Sequence, residues 1–120
     1  MPWGAYDSNG LLRIGVFDRQ YDVANHLYGY SLSTETAAGT LAFNTTELTT
    51  VRSNPTRDDR WFATTRNSNF PHATTFLGDY SNIAAIPGGG VVAYWTDMRV
   101  DATFAGVTRK GEDAFFAKSQ

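Results

Sequence analysis

The chain contains no cysteine among its 120 residues. This absence excludes disulfides, thiolate metal sites and a cysteine nucleophile. It also means that redox chemistry gives no indication of the compartment. Residues 1–4 are not a basic segment followed by an apolar one, so the sequence predicts no signal peptide.

Charge is scarce, because Asp, Glu, Lys and Arg make up only 18% of the residues and the net charge is −2. A surface that follows nucleic-acid phosphates needs clustered cations. Arg57, Arg60 and Arg66 form the one local cluster, and Asp58 and Asp59 offset it. We therefore expect no nucleic-acid partner.

Long apolar runs and metal-binding motifs are also missing. The longest apolar stretch, residues 83–95, is interrupted by PGGG at 87–90, whereas a membrane-spanning helix needs about 20 apolar residues. His26 and His72 are isolated, and no HExxH, GxSxG, P-loop or EF-hand pattern occurs. The sequence predicts no membrane span, no metal site and no cofactor.

The residues that are abundant favour β-structure. Hydrophobic residues make up 42% of the chain and aromatic residues 14%, and Thr, Gly and Asn are frequent. Leu12, Ile14 and Val16 alternate with other residues, which is the period of a strand. Six strands are predicted on this basis, near residues 12–16, 27–33, 41–51, 83–86, 91–95 and 114–117. We expect an all-β fold of antiparallel sheets without helices.

An internal repeat relates residues 9–22 to residues 89–101. Each copy begins with a glycine turn and continues through a strand into an Asp-x-x-x-Asp pattern with an arginine inside it. Asp18 matches Asp97, an offset of 97 − 18 = 79 residues. Repeated hairpins of this kind are typical of propeller blades or similar arrays. We therefore expect Asp18 and Asp97 to occupy equivalent positions.

Several motifs resemble a known family. FLGDYSNIAA at 76–85 and AYWTDMR at 93–99 are similar to the GDY and WTDxR motifs of bacterial sialidase-like (BNR/Asp-box) β-propellers. FDRQYDVAN at 17–25 and DAFFAKS at 113–119 resemble further stretches of that family. Residues 33–43 resemble an Asp box in which Glu35 replaces the aspartate.

The resemblance implies a fold of propeller blades. Residues 1–51 would form a first blade, residues 52–76 a long irregular loop, and residues 77–120 a second blade that lacks its outermost strand. Since the family's propellers have six blades, the chain would be a fragment, or identical subunits would complete the ring as a homotrimer. The resemblance also implies a secreted or extracytoplasmic protein.

The catalytic parts of sialidases do not map onto this sequence, neither the arginine triad nor the Tyr–Glu pair. We therefore expect a non-catalytic binding or scaffold module with carbohydrate as its ligand. Two alternatives remain open. The chain belongs to a sialidase-like glycoside hydrolase whose active site needs further blades or subunits, or it is a structural piece of a larger extracellular propeller.

Seven residues are candidates for ligand contacts. Asp79 and Tyr80 precede the first strand of the second blade, near the expected central channel, and Trp61 lies in the long loop. The others lie where inner strands end: Asp18, Arg19, Asp97 and Arg99. The alternative for these four is structural, with carboxylates that accept turn N–H groups and arginines that brace the next strand.

Overall fold

The computed structural model describes residues 2–54, 80–104, 106–111 and 113–120. These residues form two antiparallel sheets and a hairpin, with no helix among them. Sheet 1 has the order β1-β2-β3-β4, formed by Trp3–Tyr6, Leu12–Asp18, Gly29–Glu35 and Phe43–Glu47. Sheet 2 has the order β5-β6-β9, formed by Asn82–Ala85, Val91–Asp97 and Asp113–Ser119. The hairpin consists of β7 (Asp101–Phe104) and β8 (Val107–Lys110).

All six predicted strands are confirmed, and the predicted all-β class is correct. Three further strands, β1, β7 and β8, were not predicted. Each is only four residues long, which is too short to show a clear alternation. The segment after β4 is also less irregular than expected at its start, because Ser53 pairs with Tyr28 through an antiparallel bridge.

The two sheets repeat one another in register. Trp3 pairs with Gly15 in sheet 1, and Asn82 pairs with Tyr94 in sheet 2, so both partners are displaced by 79 residues. Asp18 and Asp97 each end a seven-residue central strand. The prediction that these two aspartates are equivalent is therefore confirmed.

The turns between the first two strands of each sheet follow the same offset. The Asp7 N–H donates to the Leu11 carbonyl, and the Ile86 N–H donates to the Gly90 carbonyl. Gly10 and Gly89 hold the matching left-handed positions, at φ 77° and 94°, which non-glycine residues adopt only with strain. The repeat is thus present in the backbone geometry as well as in the amino-acid sequence.

The third strands match with a larger offset. Asp18 pairs with Gly29 and Asp97 with Asp113, so β9 is displaced from β3 by 113 − 29 = 84 residues. The extra length lies in the connection after β6, which contains the β7–β8 hairpin. Among the described residues, sheet 2 has no counterpart of β4.

Each sheet has two faces, because successive side chains of a strand point in opposite directions. We call one the front face, formed in sheet 1 around Gly15, Phe17, Tyr30 and Leu32 and in sheet 2 around the equivalent Tyr94, Thr96, Ala114 and Phe116. The other is the back face, formed in sheet 1 by Gly4, Leu12, Ile14 and Val16 and in sheet 2 by Ile83, Val91, Ala93 and Trp95.

The core lies between the front face of sheet 1 and the back face of sheet 2. Tyr30 and Leu32 pack there against Ile83, Val91, Ala93 and Trp95. The rings of Tyr30 and Trp95 stack in parallel, with centroids 5.2 Å apart. Equivalent sheets therefore stack front to back, rather than with the same face of each turned inward.

Gly15 makes this close packing possible. A methyl group there would collide with the ring of Tyr30 and touch Ile83. Burial raises the pKa of the Tyr30 phenol, and the nearby Ser81 side chain offsets this only in part. Because Gly15 has no side chain, an aromatic ring from β3 can lie across β2.

A buried ion pair holds the β1–β2 turn. Both Nε and Nη2 of Arg13 donate to Asp7 Oδ2, at 2.9 and 2.7 Å. Asp7 Oδ1 accepts the N–H groups of Asn9 and Leu11. Burial acts to raise the pKa of Asp7, but these hydrogen bonds together outweigh it and leave the pKa lowered.

Glu35 performs a similar function at the β3–β4 turn. It is buried, and its two oxygens accept the N–H groups of Leu41 and Leu12, at 2.8 and 3.1 Å. Hydrogen bonds from Leu41 and Leu12 are the main reason that its pKa is lowered. The buried Glu35 carboxylate therefore ties β2 to the β3–β4 hairpin.

Candidate functional site

Strand direction places the predicted site residues at one end of the sheet pair. The central strands β2 and β6 end there, and β5 begins there. We call this the loop end and define it by residues 18–28, 47–54, 80–81, 97–104 and 106–111. Five of the candidates lie in it: Asp18, Arg19, Tyr80, Asp97 and Arg99. Asp79, Trp61 and most of the predicted long loop lie outside the described residues.

Asp97 is held inside the structure by its neighbours. It is only 2% exposed. Its Oδ1 accepts the Arg99 N–H at 2.8 Å, and its Oδ2 accepts from Arg99 Nη2 at 2.7 Å and from the Trp95 indole at 3.3 Å. This geometry matches the structural alternative for a strand-end aspartate, a carboxylate that fixes its own turn.

Arg99 extends this arrangement to the other sheet. Its Nη1 donates to Thr50 Oγ1 at 2.9 Å, and its guanidinium lies 4.1 Å from the centre of the Phe115 ring. The neighbouring Met98 N–H donates to Ser53 Oγ at 3.1 Å. Arg99, which Asp97 holds in place, and Met98 therefore fasten sheet 2 to the segment that follows β4.

Asp18 makes a similar contact with fewer hydrogen bonds. Gln20 Nε2 donates to Asp18 Oδ2 at 3.0 Å, and Gln20 stands at the position equivalent to Arg99. Arg19 is one position out of this register. It is exposed, and its Nη1 donates to the Asn25 carbonyl at 3.3 Å. Asp18 and Arg19 are thus accessible from solvent, in contrast to Asp97.

Two contacts at the loop end were not predicted. Asp22 Oδ2 accepts the N–H groups of His26 and Leu27, at 2.6 and 2.8 Å, and the bond from Leu27 is the largest cause of its lowered pKa. Arg52 forms a two-pronged ion pair with Glu47, at 2.7 Å for each contact. The repeat had marked Asp22, but Glu47 and Arg52 lie in a stretch without a recognisable pattern.

Tyr80 is the most accessible aromatic side chain at this end among the described residues, with 75% of its surface exposed. Its neighbour Ser81 is buried, and the Ser81 side chain lies close enough to the Tyr30 phenol in the core to influence its pKa. Tyr80 therefore stands on a backbone that is anchored beside the core. An exposed ring on a fixed backbone is suited to stacking against a flat apolar surface.

The charges at the loop end are largely engaged with one another. Arg52, Arg99 and Lys110 already form ion pairs, with Glu47, Asp97 and Asp101 respectively. Among the side chains described there, this leaves Arg19 as the cation outside an ion pair. An anionic ligand would also meet the carboxylates of Asp18 and Asp22, so the described surface favours a neutral ligand.

The described residues contain neither a metal-binding cluster nor a membrane-spanning helix. No group of three or more His, Asp or Glu side chains in them lies close enough to hold a metal ion. Nor do these ranges contain a helix of the length and apolarity needed to cross a membrane.

No protein-family model, curated protein or solved structure matches this chain. Its function is therefore inferred from its own residues and their geometry.

Proposed function

We propose that this chain is a two-blade unit of a sialidase-like β-propeller that acts as a non-catalytic binding module for neutral carbohydrate. The front-to-back stacking of two equivalent sheets supports the blade assignment most directly. In a propeller, successive sheets are related by rotation about one axis, so each presents its front to the back of the next. A sandwich needs no such relation between its sheets.

The position of the accessible residues supports a ligand site at the loop end. Tyr80 provides an exposed aromatic ring, and Asp18 and Arg19 provide polar atoms that solvent reaches. Sugar rings have an apolar face and a rim of hydroxyl groups. An aromatic ring suits the first, and carboxylate and guanidinium groups at the same end of the sheets suit the second. In this proposal, Asp97 and Arg99 position the site rather than contact the ligand.

The engagement of the other polar groups supports a binding function without catalysis. Asp97 accepts three hydrogen bonds, and Asp22 caps a turn with two backbone N–H groups. Glycoside hydrolysis needs two carboxyl groups placed on either side of the scissile bond. Among the described carboxylates at the loop end, Asp18 and Asp22 are partly exposed, and Asp22 is already engaged in its own turn.

The test is a binding measurement with neutral and sialylated oligosaccharides by calorimetry or on an array. Tyr80→Ala should weaken binding of a neutral glycan about 10-fold, since an aromatic contact contributes roughly 0.5–1.5 kcal/mol. Tyr80→Phe should bind nearly as well as the wild type, because it keeps the ring. The matched control is Leu41→Ala, an exposed side chain at the opposite end, which should not change affinity.

Two outcomes would overturn the proposal. Absence of binding to every glycan tested would refute the carbohydrate ligand. Hydrolysis of a fluorogenic sialoside by the purified chain would refute the non-catalytic function and favour the glycoside-hydrolase alternative.

A further inference from the structure

We infer that the front face of sheet 2 binds the back face of sheet 1 of a second copy of this chain. The inference rests on the two-blade part of the proposed function and is independent of the ligand. It starts from two faces that lie outside the front-to-back stack, one at each side of the molecule. The interface between the two sheets of one chain serves as the reference for the composition and exposure of a covered pair of faces.

The front face of sheet 2 has the composition of a covered face but is open. Phe116 is 76% exposed, whereas Leu32, its equivalent in sheet 1, is only 1% exposed. Tyr94, which is 46% exposed, pairs directly with Phe116. Exposed neighbouring aromatic rings on one sheet face are typical of an interaction surface.

Both front faces carry a tyrosine ring, but the tyrosine lies on a different strand in each sheet. In sheet 1, Tyr30 on β3 lies across Gly15 on β2. In sheet 2, the position of Tyr30 is taken by Ala114 and the position of Gly15 by Tyr94. Each front face therefore offers one tyrosine ring to whatever packs on it.

The β2 positions on the back face of sheet 1 keep the apolar character of their covered equivalents, whereas on β3 Ser31 and Ser33 replace the Phe115 and Ala117 of sheet 2. Val91, Ala93 and Trp95 of sheet 2 are buried against sheet 1. The equivalent positions in sheet 1 are occupied by Leu12, Ile14 and Val16, and all three are only partly buried. A second copy thus carries the surface that the open front face of sheet 2 would accept.

Such a contact is head-to-tail, because the two surfaces that meet are different. Contacts of this type generate closed rings when the rotation closes, and open chains when it does not. Three chains would supply six sheets. The proposed sialidase-like fold has six blades, so we expect a ring of three chains, in which the loop ends lie on the same side.

The experiment measures the mass of the purified chain by light scattering and sedimentation, without glycan. The wild type should have about three times the single-chain mass of 13.2 kDa and should dissociate on dilution. Phe116→Glu places a charge on the front face of sheet 2. Gly4→Glu places one on the back face of sheet 1, where the structure has room for a side chain. Each should weaken association at least about 100-fold, because an unpaired charge would be buried.

Mixing the two variants distinguishes this contact from a symmetric dimer. The Phe116→Glu chain keeps an intact back face on sheet 1, and the Gly4→Glu chain keeps an intact front face on sheet 2. An equimolar mixture should therefore form a heterodimer of about twice the chain mass and nothing larger. Leu41→Glu, an exposed substitution in the β3–β4 turn, should leave the wild-type mass unchanged.

A monomeric wild type, or a mixture that stays monomeric, would overturn the inference. Circular dichroism and thermal melting verify that each variant is folded, and Tyr94→Ser replaces Phe116→Glu if the latter does not fold. Glycan binding is measured separately on the monomeric variants. Retained glycan binding without a ring contradicts only this inference, and a ring without glycan binding contradicts only the proposed ligand.

Discussion

The three strands that sheet 1 and sheet 2 have in common agree in length and register but are stabilised by different interactions. Asp7 and Arg13 form a buried ion pair in sheet 1, and their equivalents in sheet 2 are Ile86 and Val92. Glu35 ties down a hairpin, and its equivalent is Ser119, near the end of the chain. Backbone pairing and alternation therefore define the strand framework of both sheets, and either polar or apolar contacts can stabilise the turns between the strands.

Removing one partner of the ion pair should have the largest effect. Arg13→Val leaves the Asp7 carboxylate buried and unpaired, which should cost about 3–5 kcal/mol. The double variant Asp7→Ile with Arg13→Val reproduces the residues of sheet 2 and should recover at least half of this loss. Urea denaturation of both variants measures the difference, and a double variant less stable than Arg13→Val would contradict the comparison.

Gly15 and Tyr94 occupy equivalent positions, but Gly15 is tightly packed and Tyr94 is half exposed. Gly15→Ala should cost about 1–3 kcal/mol, because the added methyl group overpacks the contact with Tyr30. Tyr94→Ala should cost less than about 1 kcal/mol in a single chain, since the ring is half exposed. Both are measured by thermal melting in the Phe116→Glu background, which keeps association from masking the result. Equal losses at the two positions would contradict the assignment of an open front face.

Acid should destabilise the turns of sheet 1. The pKa values of Asp7, Glu35 and Asp22 are lowered in the folded chain. The unfolded state therefore takes up protons first as the pH falls, so these groups stabilise the fold above about pH 4 and lose that contribution below it. Glu35→Gln should lower the melting temperature at pH 7 and flatten its fall between about pH 5 and pH 3. An unchanged slope would exclude Glu35 as a source of the pH dependence.

The smallest expected effect concerns the β1–β2 turn. Gly10 has a φ of 77°, and nothing lies near the position of an added side chain. Gly10→Ala should therefore cost only the backbone strain, about 1 kcal/mol. Gly10→Asn should cost less, since asparagine tolerates this conformation. Both values come from chemical denaturation, and a larger loss for Asn than for Ala would exclude backbone strain as the cause.

The strands that the sequence predicted are those with a clear alternation and a glycine-rich boundary, such as β2 and β6. The strands β1, β7 and β8 are short, and they are defined by pairing with neighbours rather than by their own pattern. The buried ion pair of Arg13 was not predicted, although a charged residue inside an apolar strand indicates that a buried partner exists. Its partner Asp7 lies across the turn and could not be chosen from the sequence alone.

The sequence by itself determined the all-β class, the central strands and the repeat that relates Asp18 to Asp97, because these depend on local alternation and turn residues. Only the tertiary structure decided which face of each sheet is covered. It also decided that Asp97 is buried beneath contacts with Arg99 and Trp95, whereas Asp18 remains partly exposed. Equivalent residues diverge in this way because burial depends on the segments that pack over them, and those segments come from distant parts of the chain.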